Sequence, residues 1–102
     1  MKEDALQSCI GFEWDKWNFD KNWSKHKVSY LECEQIFFNR PLLLYSDTKH
    51  SDEEERMYVL GKTDIERLLF AVFTIRNNLI RVISARDMNK KEKAIYESNT
   101  KV

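Results

Sequence analysis

Two apolar runs near the end of the chain, Arg67–Ile75 and Leu79–Ala85, are joined through Asn77-Asn78. So short a join fits antiparallel neighbours, because parallel strands need a crossover of a dozen or more residues. Asparagine also tolerates the left-handed backbone of a two-residue hairpin. Upstream, Arg56–Leu60 reads as another strand, leading into a turn through Gly61-Lys62-Thr63-Asp64, and Leu42-Leu43-Leu44-Tyr45 as one more. Connected short strands of this kind favour an antiparallel α+β sheet over a doubly wound nucleotide-binding fold.

Helices flank the strands. Asp15 is placed to cap a helix running to about His26, with Asn18 at its third position. On it, Trp14, Trp17, Asn18, Lys21 and Lys25 share one side, and Phe19, Asn22, Trp23 and His26 the neighbouring one. The aromatics are expected to hold this helix against the sheet. Ser29 and Glu32 form a capping box for a second helix, Tyr30–Phe38, which Asn39-Arg40-Pro41 stops. Asn89 and Glu92 have the same spacing before a last helix containing Ala94, Ile95 and Tyr96. The first ten residues read as weakly ordered.

At 102 residues the chain is long enough for one domain with a modest core. Nothing resembles a membrane-spanning run or a signal peptide, so a soluble cytoplasmic protein without membrane contact is expected. Net charge is zero, yet residues 31–60 carry seven acids and three bases, while residues 61–102 carry nine bases and five acids. That asymmetry suggests a local anion-binding face and argues against tight, nonspecific binding to long nucleic acid. Cys9 and Cys33 lack a paired spacing, and His26 and His50 lack partners at ligand spacing, so ordinary thiols and no metal or cofactor are expected. The acidic stretch Lys49–Glu55 lacks the ligand alternation and central glycine of a calcium loop. A phosphate-binding glycine loop and a serine elbow are also missing.

The basic residues suggest phosphate chemistry. RNA can be cut when its own 2′-hydroxyl attacks the adjacent phosphate, helped by a proton acceptor and by fixed positive charge. His26 is the preferred acid/base candidate and Lys25 a phosphate contact, the alternative being a solvated helix end. Arg81 and Arg86 are electrostatic candidates, with salt bridges to Asp87 or the acidic segment as the alternative. Strand alternation puts Arg81, Ile83 and Ala85 on one face and Val82 and Ser84 on the other. Arg56 either joins that surface or pairs with Glu53, Glu54 and Glu55. Tyr96 either stacks on a base or serves as a polar core aromatic.

At these positions the chain resembles the BrnT toxin family, a branch of the RelE/ParE-like superfamily. The resemblance rests on Phe12-Glu13-Trp14-Asp15, Lys25-His26 with Val28, Asp52-Glu53-Glu54-Glu55-Arg56, Gly61, and Arg67-Leu68-Leu69. Its strongest part is Arg81-Val82-Ile83-Ser84-Ala85-Arg86, continued by Lys91-Glu92 and Tyr96. It implies a RelE-like compact domain over residues 11–99, with residues 1–10 as a short extension. Two N-terminal helices, an antiparallel four-stranded sheet and a C-terminal helix are expected.

The implied function is that of a type II toxin, a metal-independent RNA endonuclease acting without the ribosome. A BrnA-like ribbon-helix-helix antitoxin would neutralise it, and the complex would reach operator DNA through that antitoxin. Carried onto this chain, the catalytic set is Lys25, His26, Arg56, Arg81 and Arg86; Lys27 and Tyr96 are this chain's own candidates for substrate binding. The chain departs from the family at Lys27, where glycine is common, at Arg40-Pro41, where Asp-Pro is typical, and at Asp87-Met88-Asn89, where the turn is usually basic or small. Asp87 would weaken the local positive field. A catalytically inactive antitoxin-binding module and transcriptional co-repressor is therefore the alternative reading.

Overall fold

The computed structural model describes residues 6–47 and 54–100, with the backbone alone at Lys21. Its centre is the β4–β5 hairpin, Leu68–Arg76 and Leu79–Asp87, closed by Asn77 and Asn78 at φ 52° and 63°. These left-handed values are what a primed two-residue turn requires. Strands β3 (Met57–Lys62) and β2 (Leu43–Ser46) add antiparallel on the β4 side. β3 runs through Gly61-Lys62, so the turn that follows it begins at Thr63, whose N–H bonds the Arg67 carbonyl at 2.9 Å.

The four expected antiparallel strands are joined by a fifth. β1, Gly11–Phe12, pairs in parallel with β5 at Leu79 and Ile80, giving the order β1-β5-β4-β3-β2. Two residues are too few to show alternation in a sequence. The ladder's ends are extended by bonds of 2.8 Å from Ile10 N–H to Asn78 O and from Glu13 N–H to Ile80 O. Leu6 and Cys9 pack against the core, so residues 6–10 are part of the packed structure. Residues 1–5, the rest of the stretch expected to be weakly ordered, and residues 48–53 of the acidic segment lie outside the described residues.

The main core lies between one sheet face and the second N-terminal helix with the turns before and after it. Val59, Leu69, Ala71, Phe73, Ile80, Val82 and Ala85 meet Val28, Cys33, Ile36 and Phe37 there. Helix α2 (Tyr30–Ile36) has the expected Ser29–Glu32 capping box and lies across β3 at Gly61. A Cβ at Gly61 would stand 3.0 Å from Ile36 Cβ and 3.2 Å from the Ile36 carbonyl oxygen, which explains a residue without one. The opposite sheet face carries a smaller cluster of Leu60, Met88 and Tyr96, partly covered by α3 (Lys90–Ser98).

Helix α1 (Lys16–His26) docks differently from expectation. Trp17, Phe19 and Trp23 are 75%, 42% and 53% exposed, whereas Asn18 and Asn22 are 3% and 2% exposed. The cause is the edge of β5 beyond the short β1. Asn18 Nδ2 donates to the Val82 carbonyl at 3.2 Å, and Ala85 N–H donates to Asn22 Oδ1 at 2.9 Å. Two side chains one helical turn apart thus stand in for a neighbouring strand, and burying backbone groups without such partners is costly. Trp14 alone meets the expectation of an aromatic anchor, packing on the core and donating to Glu34 Oε2 at 2.8 Å. Among the described residues no helix is long and apolar enough to cross a membrane.

Asn22→Ala leaves Ala85 N–H without its acceptor, so it should cost about 1–3 kcal/mol, read as a lowered urea midpoint at unchanged slope. A midpoint equal to wild type would mean that the β5 edge is satisfied in another way.

Candidate active site

A β-bulge decides which β5 side chains share a face. Val72 opposes Ser84 and Phe73 opposes Val82, leaving Ile83 as the extra residue. Arg81 and Arg86 are five positions apart, so an unbroken strand would point them to opposite faces. The bulge resets the alternation. Arg81 now opposes Thr74 and Arg86 opposes Phe70, and those partners lie on the same face of β4. Val82 and Ala85 both enter the helix-side core, which corrects the expected grouping of Arg81 with Ala85. Both arginines therefore occupy the face away from the main core, roughly 15 Å apart along the strand.

Arg86 is held on that face by its surroundings. Its guanidinium lies 4.2 Å from the Phe70 ring centroid and forms a fork with Glu92, Nη1–Oε1 2.8 Å and Nη2–Oε2 3.0 Å. Glu92 is also the third residue of the Asn89 capping box, so helix initiation fixes the arginine's partner. The Arg86 hydrogen bond holds the Glu92 carboxyl below its usual range. Across the sheet from Phe70 runs an aromatic row, with Tyr58–Phe70 centroids 5.5 Å apart and Tyr58–Tyr45 stacked at 5.0 Å.

Arg81 lies at the other end of the face, among charges of both signs. Its Nη2 is 2.6 Å from Asp15 Oδ2 and its Nη1 is 3.9 Å from Glu13 Oε1. The Asn18 backbone N–H, then Arg81, hold the Asp15 carboxyl below its usual range. Arg76 forms a fork with Glu54 at 2.6 Å, and Glu54 also feels Arg81 and Arg56. Arg56 and Arg81 therefore belong to one cluster, with Arg76 as a third arginine that sequence reasoning did not single out.

Lys25, His26 and Lys27 sit at the far end of α1, near the end of β5. Lys27 caps the helix in the left-handed region, φ 56°, with its N–H directed to the Asn22 and Trp23 carbonyls. That conformation is one glycine adopts most readily at a helix C-terminus. The Lys27 ammonium lies 5.6 Å from the Trp23 ring centroid. Lys25 is exposed and falls on the helix stripe of Asn18 and Asn22, which leads toward the end of β5.

Arg67, which the sequence offered only as part of a family landmark, holds this end together. It donates to the Lys27 and His26 carbonyls at 2.9 and 3.4 Å, to Glu32 at 3.0 Å, and to Asp87 at 2.7 and 3.1 Å. The orphan carbonyls at the end of α1 were the available signal, since they require donors from elsewhere. Asp87 is thereby engaged by Arg67. It opposes Leu69, on the core side of the strand, not the face of Arg86.

Tyr96 is 2% exposed and its hydroxyl donates to the Pro41 carbonyl at 2.7 Å, so it is a polar core aromatic and not a stacking surface for a base. Burial pushes the Cys33 thiol up to about 12, as suits an inert core cysteine. Among the described residues no group of three His, Cys, Asp or Glu side chains could hold a metal ion. His50 lies outside them.

An α+β domain of this topology, with arginines gathered on the open face of its sheet, has the form of a RelE-like toxin. The chain belongs to the family described as ribonuclease toxin, BrnT, of type II toxin–antitoxin system, whose model matches residues 14–92. That range contains Lys25, His26, Lys27, Arg56, Arg81 and Arg86 and stops short of Tyr96. Comparison with curated proteins finds no match. Family membership supports an RNA-cleaving role and pairing with a cognate antitoxin.

The Arg67 ion pairs predict a pH dependence of stability. The Arg67 hydrogen bond lowers the Asp87 carboxyl; burial raises Glu32, but the Ser29 backbone bond and Arg67 outweigh it, so Glu32 is lowered too. Depressed carboxyls contribute stability above their ordinary values, 3.8 and 4.5, and lose it as pH falls through their folded values. The urea midpoint of Arg67→Met should therefore fall well below wild type at neutral pH, with the gap narrowing toward about pH 3. It should not close, because the bonds to the carbonyls persist. An equal gap at both pH values would exclude the carboxylates as its source.

Proposed function

We propose that the protein is a metal-independent RNA endonuclease whose substrate lies along β5 on the open face of the sheet. The placement of Arg81 and Arg86 on one face by the Ile83 bulge is the observation that carries this reading. Arg81, with Arg56 beside it, holds the scissile phosphate and the charge that gathers on it as the 2′-hydroxyl attacks. Arg86 holds a flanking phosphate, and Lys25, His26 and Lys27 meet the same strand where it leaves the sheet. Phosphate takes the place of Asp15 on Arg81, an exchange that a partly exposed ion pair permits. The tyrosine row offers ring surface to unpaired bases.

The partner is a BrnA-like ribbon-helix-helix antitoxin that neutralises the toxin in the cytoplasm. Operator DNA is read by the antitoxin half of the complex, since the toxin carries no DNA-reading motif. A second reading, a lapsed toxin that only binds antitoxin and supports repression, draws on the acidic partners already held by Arg81, Arg86 and Arg76.

The test is incubation of purified, antitoxin-free protein with end-labelled RNAs in EDTA, beside a folded Arg81→Ala variant. Discrete cleavage that falls about 10²–10³-fold in the variant is expected, the usual loss for a group stabilising developing charge. A folded wild-type protein that leaves varied RNAs intact would overturn the nuclease reading in favour of the co-repressor. Equal cleavage by both proteins would place the chemistry elsewhere.

A further inference from the structure

The 2′-hydroxyl needs a proton acceptor at the Arg81 end of the face, and His26 is badly placed to serve. Its carbonyl shares Arg67 with Asp87, six residues along β5 from Arg81 and so roughly 17–20 Å away. Among the described residues two buried side-chain polar atoms lack a hydrogen-bond partner, Asn22 Nδ2 and Glu13 Oε1. Asn22 is already committed to the β5 edge through its other side-chain atom. Glu13 has no such structural duty, and an orphaned buried carboxylate oxygen calls for an explanation.

Glu13 is held by its backbone. Its N–H bonds the Ile80 carbonyl at 2.8 Å, and its own carbonyl accepts from Asn18 Nδ2 at 3.3 Å, which sets it beside Arg81 as a continuation of β1. Oε1 faces Arg81 Nη1 at 3.9 Å without a hydrogen bond. The side chain as a whole remains 40% exposed, and Oε2 is neither sealed nor bonded. Asp15, by contrast, is occupied by the Asn18 N–H and by Arg81. Glu13 is thus a carboxylate with a fixed backbone, one oxygen against the phosphate-binding arginine and the other open.

We propose that Glu13 is the general base of RNA cleavage, a catalytic residue whose open oxygen accepts the 2′-hydroxyl proton while Arg81 holds the phosphate. The inference rests on the ribonuclease reading above. In the step, the 2′-O–H bond breaks and its proton passes to the Glu13 carboxylate. The O2′–P bond forms as P–O5′ breaks, and the leaving O5′ takes a proton from water. The hydroxide left behind recombines with the Glu13 proton, restoring the carboxylate. The products are a 2′,3′-cyclic phosphate and a 5′-hydroxyl end. The charged groups around Glu13 are Arg81 on β5, Asp15 at the α1 cap, and Arg76 on β4 with its partner Glu54.

Cleavage of an end-labelled oligoribonucleotide in EDTA should be followed from pH 4 to pH 8 for wild type, Glu13→Gln and Glu13→Asp, with urea midpoints for each. Wild-type kcat should rise with pH as the general base gives up its proton. Glu13→Gln should lower kcat about 10²-fold or more, leave KM within a few-fold, and flatten that rise, while Glu13→Asp recovers part of the rate. Wild-type kinetics without a rising limb, or Glu13→Gln turnover at the wild-type rate and profile, would overturn the assignment while leaving the nuclease intact. The limb in wild type is read even if Glu13→Gln fails to fold. A wild-type protein inactive at every pH would sink the ribonuclease reading itself, and this inference with it.

Discussion

The free edge of β5 is the constraint on which the arrangement of this protein depends. β1 covers only its first residues, and the remainder would present unpaired backbone groups beside a hydrophobic core. Asn18 and Asn22 close that edge, and in doing so fix both the position and the rotation of α1. With those two side chains turned inward, Trp17 and Trp23 must turn outward. The helix start then lies beside Arg81, where Asp15 meets it, and the helix end lies near Asp87, where Arg67 collects its carbonyls. A polar clasp thus places charged groups at both ends of the strand.

Charge is distributed locally although the sum is zero. Arg81, Arg86, Arg76 and Arg67 each hold at least one carboxylate, yet those partners differ in how firmly they are placed. Glu92 is committed twice, to the α3 capping box and to a two-point fork. Glu32 and Asp87 are tied to Arg67 on the helix side, away from the open face. Asp15 and Glu54 pair with Arg81 and Arg76 at the other end of the sheet, Asp15 serving also as the α1 cap. Place in the fold, and not burial, separates these pairs: Asp87 at 60% is the most exposed of the five carboxylates.

Much of this was legible in local sequence. Three capping boxes, Asp15–Asn18, Ser29–Glu32 and Asn89–Glu92, form as their three-residue spacing implies, because both partners lie within one turn. The Asn77-Asn78 hairpin forms for the same reason. The buried face of α1 could not be read in this way, since Asn18 finds its acceptor 64 residues away. The Ile83 bulge was hidden too: Ala85 and Val82 look like members of opposite faces until β4 is laid beside them. The candidate site is affected in the same way: Arg81 was grouped with the wrong neighbours on β5, Tyr96 is core, and Arg67 was noticed without its role.

The central claim is that RNA lies along β5 on the face shared by Arg81 and Arg86. The most direct measurement is an NMR titration of the protein with a 2′-O-methyl oligoribonucleotide, which cannot supply the attacking hydroxyl. Chemical shifts should move for the amides of Arg81, Ser84 and Arg86 and for Thr74 across the sheet. Shifts confined to α2 and the outward aromatics of α1, with β5 unmoved, would contradict this claim.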